Sequence, residues 1–248
     1  MEGLSDATIV AFIAFCRIAG CFLVLPTFST ARVPVQVRVL LVMALTVALM
    51  PHVWDTIEGS VSEADPAMLL RLIVAETIIG AFIGLVARLY VLALSFMATS
   101  ISMSIGYGGL LGPGVEEADP QAALGSLLSM SAVLILFTLD FHHEVIRALV
   151  GSYAIVPVTG TFQAEPMLTN LVDTLTDSFL LVLRLGSPFL AYALIVNLMV
   201  GILNKLTPTI PIYFVSLPFI IAGGLVLMYF ALPAFLSLFG EGFFDLFQ

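Results

Sequence analysis

The chain contains 248 residues, of which 60% are hydrophobic and only 10% are charged. A soluble domain of this length would need a far more charged surface, so the composition excludes that class and indicates a membrane protein. The net charge of -9, with only eight Lys and Arg residues, argues against a nucleic acid as a partner, because a polyanion requires a basic surface.

Apolar segments long enough to cross a bilayer as helices recur along the whole chain. They lie at residues 7–25, 37–54, 67–105, 121–156, 166–206 and 212–240. The expected fold is therefore an all-α membrane protein with about six long helical segments. The first segment lacks the basic region and the small-residue cleavage site of a signal peptide, so we expect it to remain in the mature protein. Three of the segments far exceed the about 20 residues that a single crossing needs.

The first three segments carry signals for helix packing and for a helix start. Cys16 and Cys21 point away from each other on a helix, so we predict two small buried hydrophobes instead of a disulfide or a metal pair. Asp65 before Pro66 suits the start of the third segment. Within that segment, residues 80–84 begin and end with glycine, which is a spacing typical of close contact between helices.

Of the charged residues inside the apolar segments, six are candidates for assembly or pairing: Arg17, Glu76, Arg88, Asp173, Asp177 and Arg184. Each arginine falls near the middle of its segment, where an unpaired charge at bilayer depth costs about 3 to 10 kcal/mol. Asp173, Asp177 and Arg184 are spaced to lie close to one face of a helix. Glu76 and Arg88 share a segment without being adjacent. Two interpretations stay open: neutralisation within the chain, or contact with charged helices of other subunits or with a polar lumen.

A glycine-rich stretch at residues 104–124 separates the third and fourth segments. Backbone with this much glycine does not stay helical, and it cannot remain unpaired in lipid. The stretch must therefore be buried in protein or line a water-filled passage, which makes it the first candidate for a gate. The alternative is a mobile connector.

Polar residues gather within the fourth segment, at Asp140, His142, His143 and Glu144. They lack the spacing of a zinc protease, in which two histidines lie four apart on a helix, and we interpret them as a polar patch at a membrane boundary. The chain has no nucleophile elbow, phosphate-binding loop or dinucleotide fingerprint. We therefore predict no catalytic residue, no metal site and no cofactor, and we do not expect an enzyme.

The fifth segment is interrupted near its midpoint by Gly186, Ser187 and Pro188. These residues predict a break in the helix close to Arg184, with close packing and a kink as the ordinary interpretations. Transporters build substrate sites at broken helices beside intramembrane charges, so a secondary transporter acting alone is a rival hypothesis. No repeated motif relates the two halves of the chain, which counts against that rival.

Two stretches, RVPVQVRV at 32–39 and NLMVGILNKLTPTIPIYFVSLPF at 197–219, together with Arg17 ahead of Pro26, carry a resemblance to a known family. The chain resembles the FliR family of flagellar biosynthetic proteins, the R/T-type subunits of the type III export gate, and its injectisome counterparts. The likeness covers nearly the whole chain. Its most specific part is a series of six residues: Asn197, Gly201, Asn204, Lys205, Pro208 and Pro218.

The resemblance implies a non-enzymatic, multi-pass channel subunit of the bacterial inner membrane and the flagellar basal body. One copy would join several copies of the P-type and Q-type subunits, FliP and FliQ, with FlhB as a further partner. Together they would form a helical hetero-oligomeric channel of kinked hairpins, through which unfolded flagellar proteins pass. Members of the family look like a fusion, which implies a P-like part at 1–165 and a Q-like C-terminal hairpin at 166–248. An injectisome export-gate subunit is the alternative within the family.

The resemblance also gives the glycine-rich loop the role of a plug that helps to close the channel until substrate arrives. The implied plug residues are Gly106, Tyr107, Gly108, Gly109, Leu110, Leu111, Gly112, Pro113 and Gly114. In the family an aspartate precedes the loop proline, whereas glycine stands in that place here, so an interaction made by that aspartate is in doubt. The loop nevertheless stays acidic through Glu116, Glu117 and Asp119.

Overall fold

The computed structural model of the protein describes residues 2–26, 28–29, 33–61, 65–105, 123–158 and 164–245. Within these ranges the chain forms α-helices and no strand, so the all-α prediction is confirmed. The helices are α1 (Glu2–Val24), α2 (Val35–Val61), α3 (Pro66–Ser104), α4 (Ala123–Thr138), α5 (Phe141–Ile155), α6 (Ala164–Leu206) and α7 (Ile212–Asp245). Five stretches are long and apolar enough to cross a membrane: Ala7–Val24, Val35–Gly59, Pro66–Ser104, Glu165–Leu206 and Ile212–Phe235.

Helix α3 begins where the sequence predicts. Pro66 is its first residue, a position where the missing N–H costs no helical hydrogen bond. The Leu69 N–H donates to the Asp65 carbonyl at 3.0 Å, which closes the first turn.

The fourth predicted segment is two helices, α4 and α5, and not one. Leu139 and Asp140 form a turn between them, and Asp140 has the left-handed backbone angles φ 59° and ψ 32°. Aspartate tolerates this conformation better than most residues. A residue with these backbone angles cannot continue a right-handed helix. The single helix expected over 121–156 therefore ends at Thr138 and restarts at Phe141.

The break predicted in the fifth segment is wrong, because α6 runs without interruption through Pro188. A proline removes the N–H that would bond to the carbonyl four residues earlier, which here is that of Arg184. The Ser187 hydroxyl donates to this same carbonyl at 2.9 Å. The carbonyl thus keeps a partner, and the helix continues.

The described residues group into two compact units that are each discontinuous in sequence. The first contains α1, α2, α3 up to Tyr90, α5 and the start of α6 up to Leu175. The second contains α3 from Val91, α4, α6 from Thr176 and α7. In the first unit a core of buried side chains joins α1, α2, α3 and the α5 region: Val10, Ile13, Ala14, Val53, Ile57, Leu72, Tyr153 and Val158.

Helices α1 and α3 of the first unit approach each other at backbone distance. A Cβ atom added at Gly80 would overlap the carbonyl oxygen of Arg17, and one added at Gly84 would overlap that of Cys21. On the facing helix, a Cβ at Gly20 would overlap the carbonyl oxygen of Thr77. The close packing predicted from the two glycines of α3 is confirmed, because only residues without a side chain allow this approach.

Candidate functional site

The glycine-rich loop lies outside the described residues over 106–122, so the plug residues Gly106 to Gly114 remain a prediction. The structure does describe both of its attachment points, which belong to the second unit. Ile105, at the end of α3, is fully buried, and a Cβ added at Gly224 of α7 would overlap its side chain. At the other end, a Cβ at Gly125 of α4 would lie 3.4 Å from the Ala98 carbonyl oxygen of α3. The loop thus starts and ends on packed helices.

Two of the six intramembrane charges form a buried ion pair in the first unit. Arg17 of α1 is 0% exposed and Glu76 of α3 is 1% exposed. The Arg17 Nε donates to one carboxylate oxygen of Glu76 at 2.5 Å, and Nη2 donates to the other at 2.8 Å. This two-pronged geometry is the strongest form of arginine–carboxylate contact, and it neutralises both charges inside the unit.

Helix α5 and Val156, the residue directly after it, supply the remaining partners of the Arg17 guanidinium. Nη1 donates to the Ser152 hydroxyl at 2.9 Å, and Nη2 also donates to the Val156 carbonyl at 3.1 Å. The guanidinium carbon lies 3.8 Å from the centre of the Tyr153 ring, a cation–π contact. Burial raises the pKa of the Tyr153 hydroxyl. One arginine therefore ties α1, α3 and the end of α5 together.

The other four intramembrane charges differ from this pair. Arg88, Asp173, Asp177 and Arg184 are all exposed. Over the ranges that the structure describes, none of the four makes an ion pair. The structure therefore does not join Asp173 or Asp177 to Arg184, although their spacing places them near one helix face. These charges remain available to other molecules.

Arg184 also borders an apolar cavity in the second unit. The cavity has a volume of about 130 Å³ and lies among α3, α6 and α7. Its lining includes Ile101, Pro188, Phe189 and Phe235 beside Arg184. Nearby, the Tyr192 hydroxyl donates to the Ile220 carbonyl at 2.6 Å and joins α6 to α7.

The six residues of the sequence motif lie at the end of α6, in the following turn and in the first turns of α7. All of them are exposed: Asn197, Gly201, Asn204, Lys205, Pro208 and Pro218. A Cβ at Gly201 would meet no atom within 4 Å. Packing among the described residues therefore does not explain this series.

The polar patch of the fourth segment gathers at the turn between α4 and α5. His143 Nδ1 lies 3.5 Å and His142 Nε2 lies 3.8 Å from the same Asp140 carboxylate oxygen. Glu144 instead accepts a hydrogen bond from Arg147 at 2.5 Å. The structure thus brings three of the four residues together and directs the fourth elsewhere.

Arg17 and Glu76 were both predicted as intramembrane charges, but their pairing was not predicted, and neither Ser152 nor Tyr153 was predicted as a partner. The spacing along α3 could have predicted the pair. Glu76 lies four residues before Gly80, the glycine at which α3 comes closest to α1. Residues four apart share a helix face, so the packing face of α3 carries this carboxylate toward α1. The prediction that Cys16 and Cys21 are buried and unbonded is confirmed.

The chain is similar to known proteins along most of its length. The family model described as bacterial export proteins, family 1, matches residues 8–246. The chain is 28% identical over 224 residues to the flagellar biosynthetic protein FliR of Caulobacter vibrioides, covering 88% of this chain and 86% of the relative. For the protein of the same name from Bacillus subtilis the identity is 22% over 233 residues, covering 92% and 88%. For that from Escherichia coli it is 25% over 223 residues, covering 88% and 82%.

Proposed function

Because the chain belongs to family 1 of the bacterial export proteins, we propose that it is a structural channel subunit of the flagellar type III export gate. The family match over residues 8–246 carries the proposal. The name of the relatives, flagellar biosynthetic protein FliR, supports the flagellar system, and the alignments cover most of each relative. The role is passage of unfolded flagellar proteins across the bacterial inner membrane, without catalysis by this chain.

The proposed partners are the P-type and Q-type subunits FliP and FliQ, together with FlhB. Exposed charges on apolar helices support an assembly, because Arg88 and Arg184 are costly in lipid and make no ion pair among the described residues. We propose that the P-like part at 1–165 and the Q-like hairpin at 166–248 each contact the corresponding neighbours. The exposed motif around Lys205 belongs to the second of these parts.

Within the channel, we propose that the glycine-rich loop helps to close the pore. Its five glycines lower the cost of alternative backbone conformations, while Tyr107, Leu110 and Leu111 supply apolar contacts that an unfolded substrate displaces. The buried position of Ile105 supports this role, because it anchors the start of the loop on packed helices.

Two alternatives have less support. An injectisome subunit would have the same architecture, but the relatives described above carry a flagellar name. The hypothesis of a secondary transporter acting alone depended on a broken helix beside Arg184. Helix α6 is continuous there. Transport of a solute or ion by the isolated chain would revive that hypothesis.

The first test is purification of the tagged chain from its native membrane in mild detergent, followed by mass measurement of the intact complex. We expect P-type and Q-type export proteins with one copy of this chain. A monomer or homodimer without those proteins would refute the export-gate proposal.

Pore closure is tested separately by deleting residues 108–114 and measuring ion leakage through the assembled complex. We expect greater leakage with unchanged assembly. A length-matched control replaces Tyr107, Leu110 and Leu111 by serine, which removes the apolar contacts but keeps the loop length. Leakage in both variants supports sealing by these side chains, whereas unchanged leakage in both contradicts a sealing role.

A further inference from the structure

The turn between α4 and α5 places three potential metal ligands around one point. The ligand atoms of Asp140, His142 and His143 all lie within 4.8 Å of one another. A tetrahedral zinc site with bonds of about 2.0 to 2.1 Å has ligand atoms roughly 3.4 Å apart. The measured separations of 3.5 Å and 3.8 Å from the Asp140 oxygen to the two imidazoles are close to this value. The Asp140 and His143 side chains are exposed and can rotate toward the half-buried His142 to complete the geometry.

The backbone around the turn holds these ligands near each other. The His143 N–H donates to the Asp140 carbonyl at 2.8 Å, which fixes the aspartate against the first turn of α5. The two imidazole rings lie 4.3 Å apart between centroids. Glu144 faces Arg147 instead, so it does not compete for the ion. The turn therefore offers two imidazole nitrogens and one carboxylate oxygen.

We propose that Asp140, His142 and His143 bind a divalent transition-metal ion of the Zn²⁺ type. Imidazole nitrogen suits Zn²⁺, Co²⁺ and Ni²⁺, whereas Mg²⁺ and Ca²⁺ prefer oxygen ligands throughout. The side chains of Asp140 and His143 are 70% and 65% exposed, so solvent reaches the site and water completes the coordination. The ion ties the turn to the first turn of α5. This site is independent of the proposed export function.

The experiment measures Zn²⁺ binding by equilibrium dialysis of the metal-stripped full chain together with its co-purified subunits. The variants are Asp140→Asn, which keeps a residue that tolerates the left-handed backbone, and His143→Gln. His52→Gln is the matched control, because the chain has three histidines and His52 lies exposed in α2. We expect the wild type and the control to bind one more Zn²⁺ per chain than either variant.

Loss of a residue that hydrogen-bonds to a metal ligand typically lowers metal affinity about 10- to 100-fold. Loss of a ligand itself should lower the Zn²⁺ affinity by at least this factor. An excess of Mg²⁺ leaves Zn²⁺ binding unchanged. Equal binding by all four proteins overturns the proposal, and so does a wild type that binds Zn²⁺ only at millimolar concentrations, which would be adventitious. Equal thermal stability of the metal-free proteins shows that the substitutions leave the fold intact, as their exposure predicts.

Discussion

Removing the negative charge of the buried ion pair is the most informative perturbation of the first unit. In the wild type, two Arg17 N–H groups donate to the Glu76 carboxylate at 2.5 Å and 2.8 Å. The substitution Glu76→Gln keeps the shape of the side chain but places an amide N–H₂ opposite one of these two donors. One strong hydrogen bond is lost, and the Arg17 charge stays fully buried without a counter-ion. Breaking a buried pair in this way costs about 3 to 5 kcal/mol. We therefore expect a loss of this size in unfolding free energy.

The chain carries its own probe for this measurement. Trp54 is the single tryptophan and packs against the core of the first unit, so its fluorescence reports unfolding of the isolated chain in detergent by denaturant titration. Ser152→Ala is the matched control, because it leaves the ion pair intact and removes one hydrogen bond to the guanidinium together with the bond from the Ser152 hydroxyl to the Leu149 carbonyl. The lost bond to the charged guanidinium should cost about 1.5 to 3 kcal/mol.

A double variant, Arg17→Met with Glu76→Met, separates charge from packing. Replacing a buried ion pair by apolar side chains is often neutral or stabilising, so the double variant should be more stable than Glu76→Gln alone. A cost of less than about 1 kcal/mol for Glu76→Gln, which is the range of exposed ion pairs, would contradict a buried and stabilising pair. So would a double variant that is less stable than Glu76→Gln alone.

Three further substitutions, the first with a matched control, test separate contacts by the same fluorescence assay or by hydrogen exchange. Gly80→Ala should destabilise the first unit strongly, because the new methyl group meets the backbone of α1, whereas Gly151→Ala meets no atom within 4 Å and should gain up to about 1 kcal/mol. Tyr192→Phe should cost about 0.5 to 1.5 kcal/mol and increase exchange near the Ile220 carbonyl, since it removes that hydrogen bond. Tyr153→Phe keeps the ring over the guanidinium and removes a buried hydroxyl that has no hydrogen-bond partner among the described residues, so neutral-pH stability should not fall. Because burial raises the pKa of this hydroxyl, the folded wild type holds the proton after the unfolded chain has lost it, and its stability should decline above about pH 10 more steeply than that of the variant.

The helical architecture was predictable because hydropathy reports it directly. An apolar stretch of sufficient length has to satisfy its backbone hydrogen bonds internally in lipid, and a helix does so. The predicted ends of the third and fifth segments, residues 105 and 206, match α3 and α6 to within one residue. Proline at the start of α3 marked its boundary without knowledge of any tertiary contact.

Local compensation and long-range pairing were not predictable in the same way. Pro188 predicted a break, but the hydroxyl of Ser187 supplies a bond to the carbonyl that the proline leaves without a helical N–H. The turn at Asp140 was missed because no proline or glycine marks it, and the polar residues around it were interpreted as a patch on a continuous segment. The partner of Arg17 lies 59 residues away in sequence, whereas reasoning from helical spacing relates only residues within a few turns.

Arg17 and Arg184 looked equivalent in the sequence, each an arginine in the middle of an apolar segment, and the structure separates them. Arg17 is fully buried and bonded within the chain, whereas Arg184 is exposed and has no ion pair among the described residues. Since both charges are costly in lipid, the first is compensated by folding and the second requires a partner or water. Arg184→Ala should therefore leave the unfolding free energy of the isolated chain nearly unchanged and lower the recovery of the assembled complex. Glu76→Gln should reduce stability and recovery together, and equal effects of the two substitutions on the isolated chain would contradict this division.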